Sequence, residues 1–230
     1  MFGMMPYYNS NGFWMIALLV AMLFGIIAQI KIKSTYAKYV KVPNQKNITG
    51  MQAAREILDR NGLSDVKIVP IRGELTDHYD PSENIIRLSE QVYSDSSIAS
   101  VSIAAHEVGH AIQHNRGYAF LNFRNSLVPV VNFASRSIYP LFLIGLFIAP
   151  FLINVAIAVF AITVLFQIVT LPVEINASSR ALENLDGTIL KRDEVSEGKK
   201  VLSAAAMTYV AAALFSLVQL LRLMNSRRDD

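Results

Sequence analysis

No charged residue occurs in residues 1–30, 137–173 or 201–221, and these three apolar stretches divide the chain. A helix crosses a bilayer with roughly 17 to 25 residues. Residues 13–30 therefore predict a first membrane helix. Residues 137–173 are long enough for two, turning at Ala149-Pro150: one from about residue 127 or 138, the second over about 152–171. Residues 201–221 predict a fourth helix, spanning the membrane in preference to lying in its interface. The polar intervals carry different patterns. Thr49-Gly50-Met51-Gln52 has the form of a capping box, and Ala53, Ala54, Ile57 and Leu58 give one apolar helix face before Gly62. Residues 66–71 and 85–88 read as strands, separated by Gly73 and the turn cluster Asp80-Pro81-Ser82-Glu83-Asn84. Ser94 to Ser97 supply starting residues for a helix that runs to about Asn115, before Gly117. Pro172 can serve as the first residue of a new helix through Asn176, Arg180 and Glu183 toward Gly187, followed by a solvated loop over 188–200.

The pattern predicts a mainly α-helical integral membrane protein in five stretches. These are an N-terminal membrane helix within 1–30, a water-exposed part over 31–126, a membrane hairpin over 127–173, a helix and loop over 174–200, and a fourth membrane helix with its tail over 201–230. Composition agrees, since 53% of the 230 residues are apolar and 17% charged, too greasy for an ordinary soluble domain. The first helix is expected to stay as an anchor, because neither a basic residue before it nor a small-x-small cleavage site marks it as a signal peptide. Lys31, Lys33, Lys38 and Lys41 follow it directly, which assigns this flank to the cytoplasm. A spanning fourth helix would put Arg222, Arg227 and Arg228 outside, against the same rule. The net charge of +3 is accounted for by these flanks, so no nucleic-acid partner is expected. The expected surroundings are the lipid bilayer of the cell membrane, with membrane-protein partners or further copies of the chain.

Chemistry concentrates in Ala104-Ala105-His106-Glu107-Val108-Gly109-His110-Ala111-Ile112-Gln113-His114. The motif His-Glu-x-x-His puts two imidazoles one helical turn apart on one face, where both reach a single zinc, with Glu107 beside them to activate a bound water. The sequence contains no cysteine, so a third ligand must offer nitrogen or oxygen. His114 lies about 12 Å from His106 along the helix axis, too far to share one ion with the other two. Glu174 is the favoured third ligand, because the hairpin returns it to the same membrane face. Asp77, His78 and Asp80 are the alternatives, and Asp186 in Leu185-Asp186-Gly187 matches the third-ligand motif of site-2 intramembrane proteases. His78 and Tyr79 are candidates to line the site and stabilise an oxyanion. The strand pair could also offer an edge to an extended peptide.

These residues resemble the YugP-like neutral zinc metallopeptidases of bacterial membranes. The likeness runs through Thr49-Gly50, Leu75-Thr76-Asp77-His78-Tyr79-Asp80-Pro81, the motif from Ala104 to His114, Thr170-Leu171-Pro172-Val173-Glu174-Ile175-Asn176-Ala177-Ser178, and Ala204-Ala205-Ala206-Met207-Thr208-Tyr209. The arrangement is also similar to the HtpX-like membrane gluzincins, in which the ligand Glu is followed four residues later by an Asp. Ser178 stands there in this chain. The resemblance implies a small α+β gluzincin-like zinc-metallopeptidase domain at the cytoplasmic face, with His106, His110 and Glu174 holding Zn2+ and Glu107 as general base. The expected activity is a membrane-embedded zinc metalloendopeptidase that hydrolyses peptide bonds of membrane-associated proteins or peptides. Against it stand a catalytically idle scaffold presenting peptides, a site-2-type protease using Asp186, and a transporter. The scaffold gives no reason for Glu107, and the transporter no reason for spans with Arg136 as their only charge.

Overall fold

The computed structural model describes residues 10–226, so Arg227, Arg228 and the rest of the tail lie outside the described residues, as do the first nine. Four long helices dominate. Helix α1 spans Ser10–Tyr39, α5 Ala119–Phe147, α6 Phe151–Leu185 and α7 Arg192–Ser226, and each is long and apolar enough to cross a membrane. Their apolar side chains point outward: Ile16, Leu23, Ile30, Phe133 and Phe147 are all exposed, which in water would be a liability and in lipid is the required surface. α1 packs against α7, α5 against α6, and α6 against α7.

The remaining elements form a compact unit at one end of these helices. Helix α2 spans Gly50–Arg60 and opens with the capping box: Thr49 Oγ1 accepts from Gln52 N at 3.2 Å while Thr49 N donates to Gln52 Oε1 at 2.9 Å. Three strands follow, β1 Lys67–Ile71, β2 His78–Asp80 and β3 Ile85–Ser89, in the order β1-β3-β2 with β1 parallel and β2 antiparallel to β3. A short α3, Glu90–Ser94, leads to α4, Ile98–Asn115, which carries the histidine motif and whose N-cap Ser97 accepts from Ser100 N at 3.1 Å. Ile57, Leu58, Ile86, Leu88 and Val92 share one core with Ile98 and Val101 of α4, all with essentially no exposure. Each such side chain contributes about 1.5 to 3 kcal/mol of transfer free energy. The helix that bears the chemistry is thereby held from several sides.

Several elements differ from the sequence expectation. The first helix runs on past Ile30 to Tyr39, because Ile32, Thr35, Tyr36 and Tyr39 face protein while the lysines between them reach water. The turn region contains a third strand, β2, and the expected loop over 188–200 is largely the first turns of α7. The main correction concerns Pro172, which starts no new helix and sits inside an unbroken α6. An internal proline removes one N–H and frees the carbonyl four residues back, yet membrane helices tolerate this where neighbours compensate. Here the next carbonyl after it, Val173 O, accepts from Gln113 Nε2 at 2.8 Å, so α4 clamps the helix just beyond the proline.

Candidate metal centre

α4 and α6 cross at Gly109. A Cβ at this position would lie 2.5 Å from the carbonyl oxygen of Ala177, so only glycine permits the observed approach of the two backbones. One turn before Ala177 on α6 is Glu174, and it faces both imidazoles of α4. His106 Nε2 lies 3.2 Å and His110 Nε2 3.6 Å from Glu174 Oε2, with the two rings edge to face and their centroids 4.8 Å apart. The ligand-capable atoms of His106, His110 and Glu174 lie within 4.8 Å of one another.

The other nitrogen of each ring is occupied. His106 Nδ1 contacts Ser178 Oγ at 3.1 Å, and His110 Nδ1 contacts Gln113 Oε1 at 3.0 Å. Gln113 is fixed in turn by donating to Val173 O at 2.8 Å and Asn176 Oδ1 at 3.0 Å. If both Nδ1 atoms carry their protons, both Nε2 lone pairs are left pointing at Glu174. Tetrahedral zinc with bonds of about 2.0 to 2.2 Å holds its ligand atoms about 3.3 Å apart, close to the separations of the two Nε2 atoms from Glu174 Oε2. Among the described residues this is the group able to hold a metal ion.

A cavity of about 330 Å³ opens beside the three side chains, bounded by Glu107 and Tyr79 on one side and by Arg124, Thr170 and Tyr209 on the other. Glu107 is buried and makes no hydrogen bond with a described residue, so its carboxylate is free to act on whatever enters. Burial pushes this carboxyl up, while His106 and His110 pull it the other way. Arg124 Nη1 lies 3.5 Å from Glu174 Oε1 and neutralises the carboxylate from the side away from the histidines.

The remaining candidates have other partners. His114 is exposed, and its Nδ1 meets the Tyr79 hydroxyl at 2.8 Å, which also donates to Asn84 Oδ1 at 3.0 Å; together they tie the end of α4 to β2. His78 lines the cavity with its Nδ1 2.8 Å from Thr76 O. Asp77 accepts from Ser89 N at 2.7 Å, and Asp80 from Ser82 Oγ at 2.6 Å and Arg87 at 3.0 Å, so both carboxylates fasten loops. Asp186 caps the end of α6 in an exposed position outside the cluster. Arg124, Gln113 and Tyr209 were not singled out from sequence. Arg124 had a signal, as a lone charge beside an apolar stretch, and Tyr209 another, as the one tyrosine within residues 201–221.

A family model described as "Putative neutral zinc metallopeptidase" matches residues 14–228. A protein of Bacillus subtilis (strain 168) described as "Putative membrane protease YugP" is 49% identical over 209 residues, which cover 88% of this chain and 93% of that relative. No solved structure matches the chain.

Proposed function

The chain belongs to this neutral zinc metallopeptidase family of membrane proteins, and on that premise we propose that it is a zinc endopeptidase of the His-Glu-x-x-His type, cutting membrane-associated polypeptides from a site on the cytoplasmic side. The observation that carries the reading is the convergence of His106, His110 and Glu174, with both Nδ1 atoms engaged and an unpaired Glu107 beside them. Zinc bound there supplies Lewis-acid polarisation of the scissile carbonyl and lowers the pKa of water to about 7. Glu107 takes the proton of the attacking water and passes it to the leaving amine. Ser178 and Gln113 hold the imidazoles in one orientation, and Arg124 limits the free charge on Glu174. The donor for the developing oxyanion is the Tyr209 hydroxyl on the cavity wall, since the Tyr79 hydroxyl is taken by Asn84 and His114 and the ring N–H of His78 by Thr76 O. An extended substrate adds along β2, an edge of the sheet whose residues line the cavity. The α+β unit around α4 is gluzincin-like in this reading, with the glutamate ligand supplied from a membrane helix.

The test is zinc content and digestion of a peptide library by the purified full chain. Glu107→Gln should keep its zinc and lose hydrolysis, and chelation should inactivate the wild type until zinc is returned. A wild-type protein free of zinc and indifferent to chelators would instead be the idle scaffold. For the orientation, single cysteines at the exposed Ser64 and Ser196 should both resist an impermeant thiol reagent in intact cells. Labelling of either refutes the cytoplasmic assignment.

A further inference from the structure

Away from the metal centre, α1 and α7 enclose a second concavity of about 660 Å³. Four lysines converge on it, Lys31 and Lys38 from α1 and Lys199 and Lys200 from α7, with the hydroxyls of Ser34 and Ser203 between them. All four are exposed, and none forms an ion pair with a described residue. The acids at the start of α7 are engaged elsewhere: Glu194 accepts from Gln45 N at 2.7 Å and Lys191 N at 2.8 Å, and Asp193 from Gln45 Nε2 at 3.2 Å. A charge bias that only orients helices needs no pocket. Here the charges share one, and it continues into a groove.

That groove, of about 320 Å³, shares Lys199, Ser203 and Met207 with the basic concavity. It then follows α7 between α6 and α1 along Leu202, Ala206 and Val210, with Ile175 and Phe24 opposite. Its direction is from the charged ends of the helices toward their apolar middles. A phosphate among four ammonium groups accepts charge-assisted hydrogen bonds, and a hydrocarbon chain beginning at the same point finds an apolar track. We propose that this paired concavity and groove bind one anionic phospholipid, its headgroup phosphate among Lys31, Lys38, Lys199 and Lys200 and one acyl chain along α7. Ser178, which touches His106, lies on the opposite wall of the groove, so the lipid packs behind the turn of α6 that carries Glu174. The proposal does not depend on the peptidase reading.

Native mass spectrometry of the full chain in detergent, supplied with equal amounts of palmitoyl-oleoyl phosphatidylglycerol and phosphatidylcholine, tests it. The wild type should retain phosphatidylglycerol preferentially. Each lysine near an anionic group is worth a factor of about five in affinity, so Lys38→Gln/Lys199→Gln/Lys200→Gln should lower retention at least about tenfold. A charge-matched control at exposed positions elsewhere, Lys67→Gln/Arg72→Gln/Arg116→Gln, should retain it. Ala206→Phe, which fills the groove and leaves every charge, should also weaken retention. Equal retention of the two lipids by wild type, equal loss in the control triple, or full retention in Ala206→Phe each overturns the proposal. So does competition by glycerol phosphate at the lipid's own concentration, which would reduce the site to one for free phosphate.

Discussion

Replacing Gly109 by alanine adds a single methyl group, and the crossing of α4 and α6 leaves no room for it. The new Cβ would stand 2.5 Å from Ala177 O and 3.1 Å from two further backbone atoms of that residue, whereas ordinary contact begins at 3.4 Å, so the helices must part by about 0.9 Å. The obstruction is backbone, which cannot rotate aside as a long side chain would. His106 and His110 flank the substitution on one helix, and Glu174 lies one turn from Ala177 on the other. A zinc site tolerates errors of about 0.2 Å in its bond lengths. Strain of this kind costs about 1 to 3 kcal/mol, and at about 1.4 kcal/mol per tenfold that lowers zinc affinity roughly 5- to 150-fold if it falls on the site. The assay is zinc per chain after dialysis against a graded series of competing chelators, with melting temperature measured alongside. Gly25→Ala is the control, because nothing lies within 4 Å of a Cβ there. A Gly109→Ala protein with wild-type zinc affinity would refute the claim that this contact sets the distance between the histidines and Glu174.

Glu174→Ala should purify folded but zinc-poor, whereas Asp186→Ala and His114→Ala keep most of their zinc; elemental analysis of the three proteins decides it, and a zinc-poor Asp186→Ala would move the third ligand there. Gln113→Ala removes the side-chain donor to Val173 O, one of the two donors to Asn176 Oδ1, which keeps Arg180 Nε, and the acceptor facing His110 Nδ1. It should cost about 1 to 3 kcal/mol in denaturant unfolding and lower zinc affinity about 10- to 100-fold, and wild-type values for both would sink the positioning role. The Ser82 hydroxyl and Arg87 hold the Asp80 carboxyl below the usual carboxylate range, so its stabilisation is present above the unfolded pKa and fades as pH falls toward the folded one. Asp80→Asn should therefore melt below wild type at pH 7, with a gap that narrows below about pH 4; a gap unchanged with pH contradicts this.

The parts of the fold legible in the sequence are those whose signal is local. The capping box at Thr49, the serines before α4 and the charge-free lengths of the membrane helices all depend on neighbours within one turn or on composition. Pro172 misleads because its usual effect assumes a soluble helix, while its actual neighbours, among them Gln113, lie 60 residues away along the chain. The same distance hides the roles of Gln113 and Ser178: each is an ordinary polar residue until the crossing at Gly109 brings it to an imidazole. The Ser178 hydroxyl meets His106 Nδ1 at 3.1 Å, a contact that nothing local to Ser178 announces in the sequence. His114, by contrast, could be set aside from helix geometry alone.

The helix that ends in the compact unit is the same rod whose apolar length is sufficient to cross a membrane, since α6 is continuous over Phe151–Leu185 and contributes Glu174, while Tyr209 reaches the cavity from α7. If His106, His110 and Glu174 hold one metal as proposed, no fragment free of the long helices contains the full ligand set. A soluble piece holding His106, Glu107 and His110 would lack the carboxylate, and a piece long enough to include it would carry the whole hairpin. Under the proposed reading, a unit cut away from its membrane helices would lose the third ligand and with it the metal.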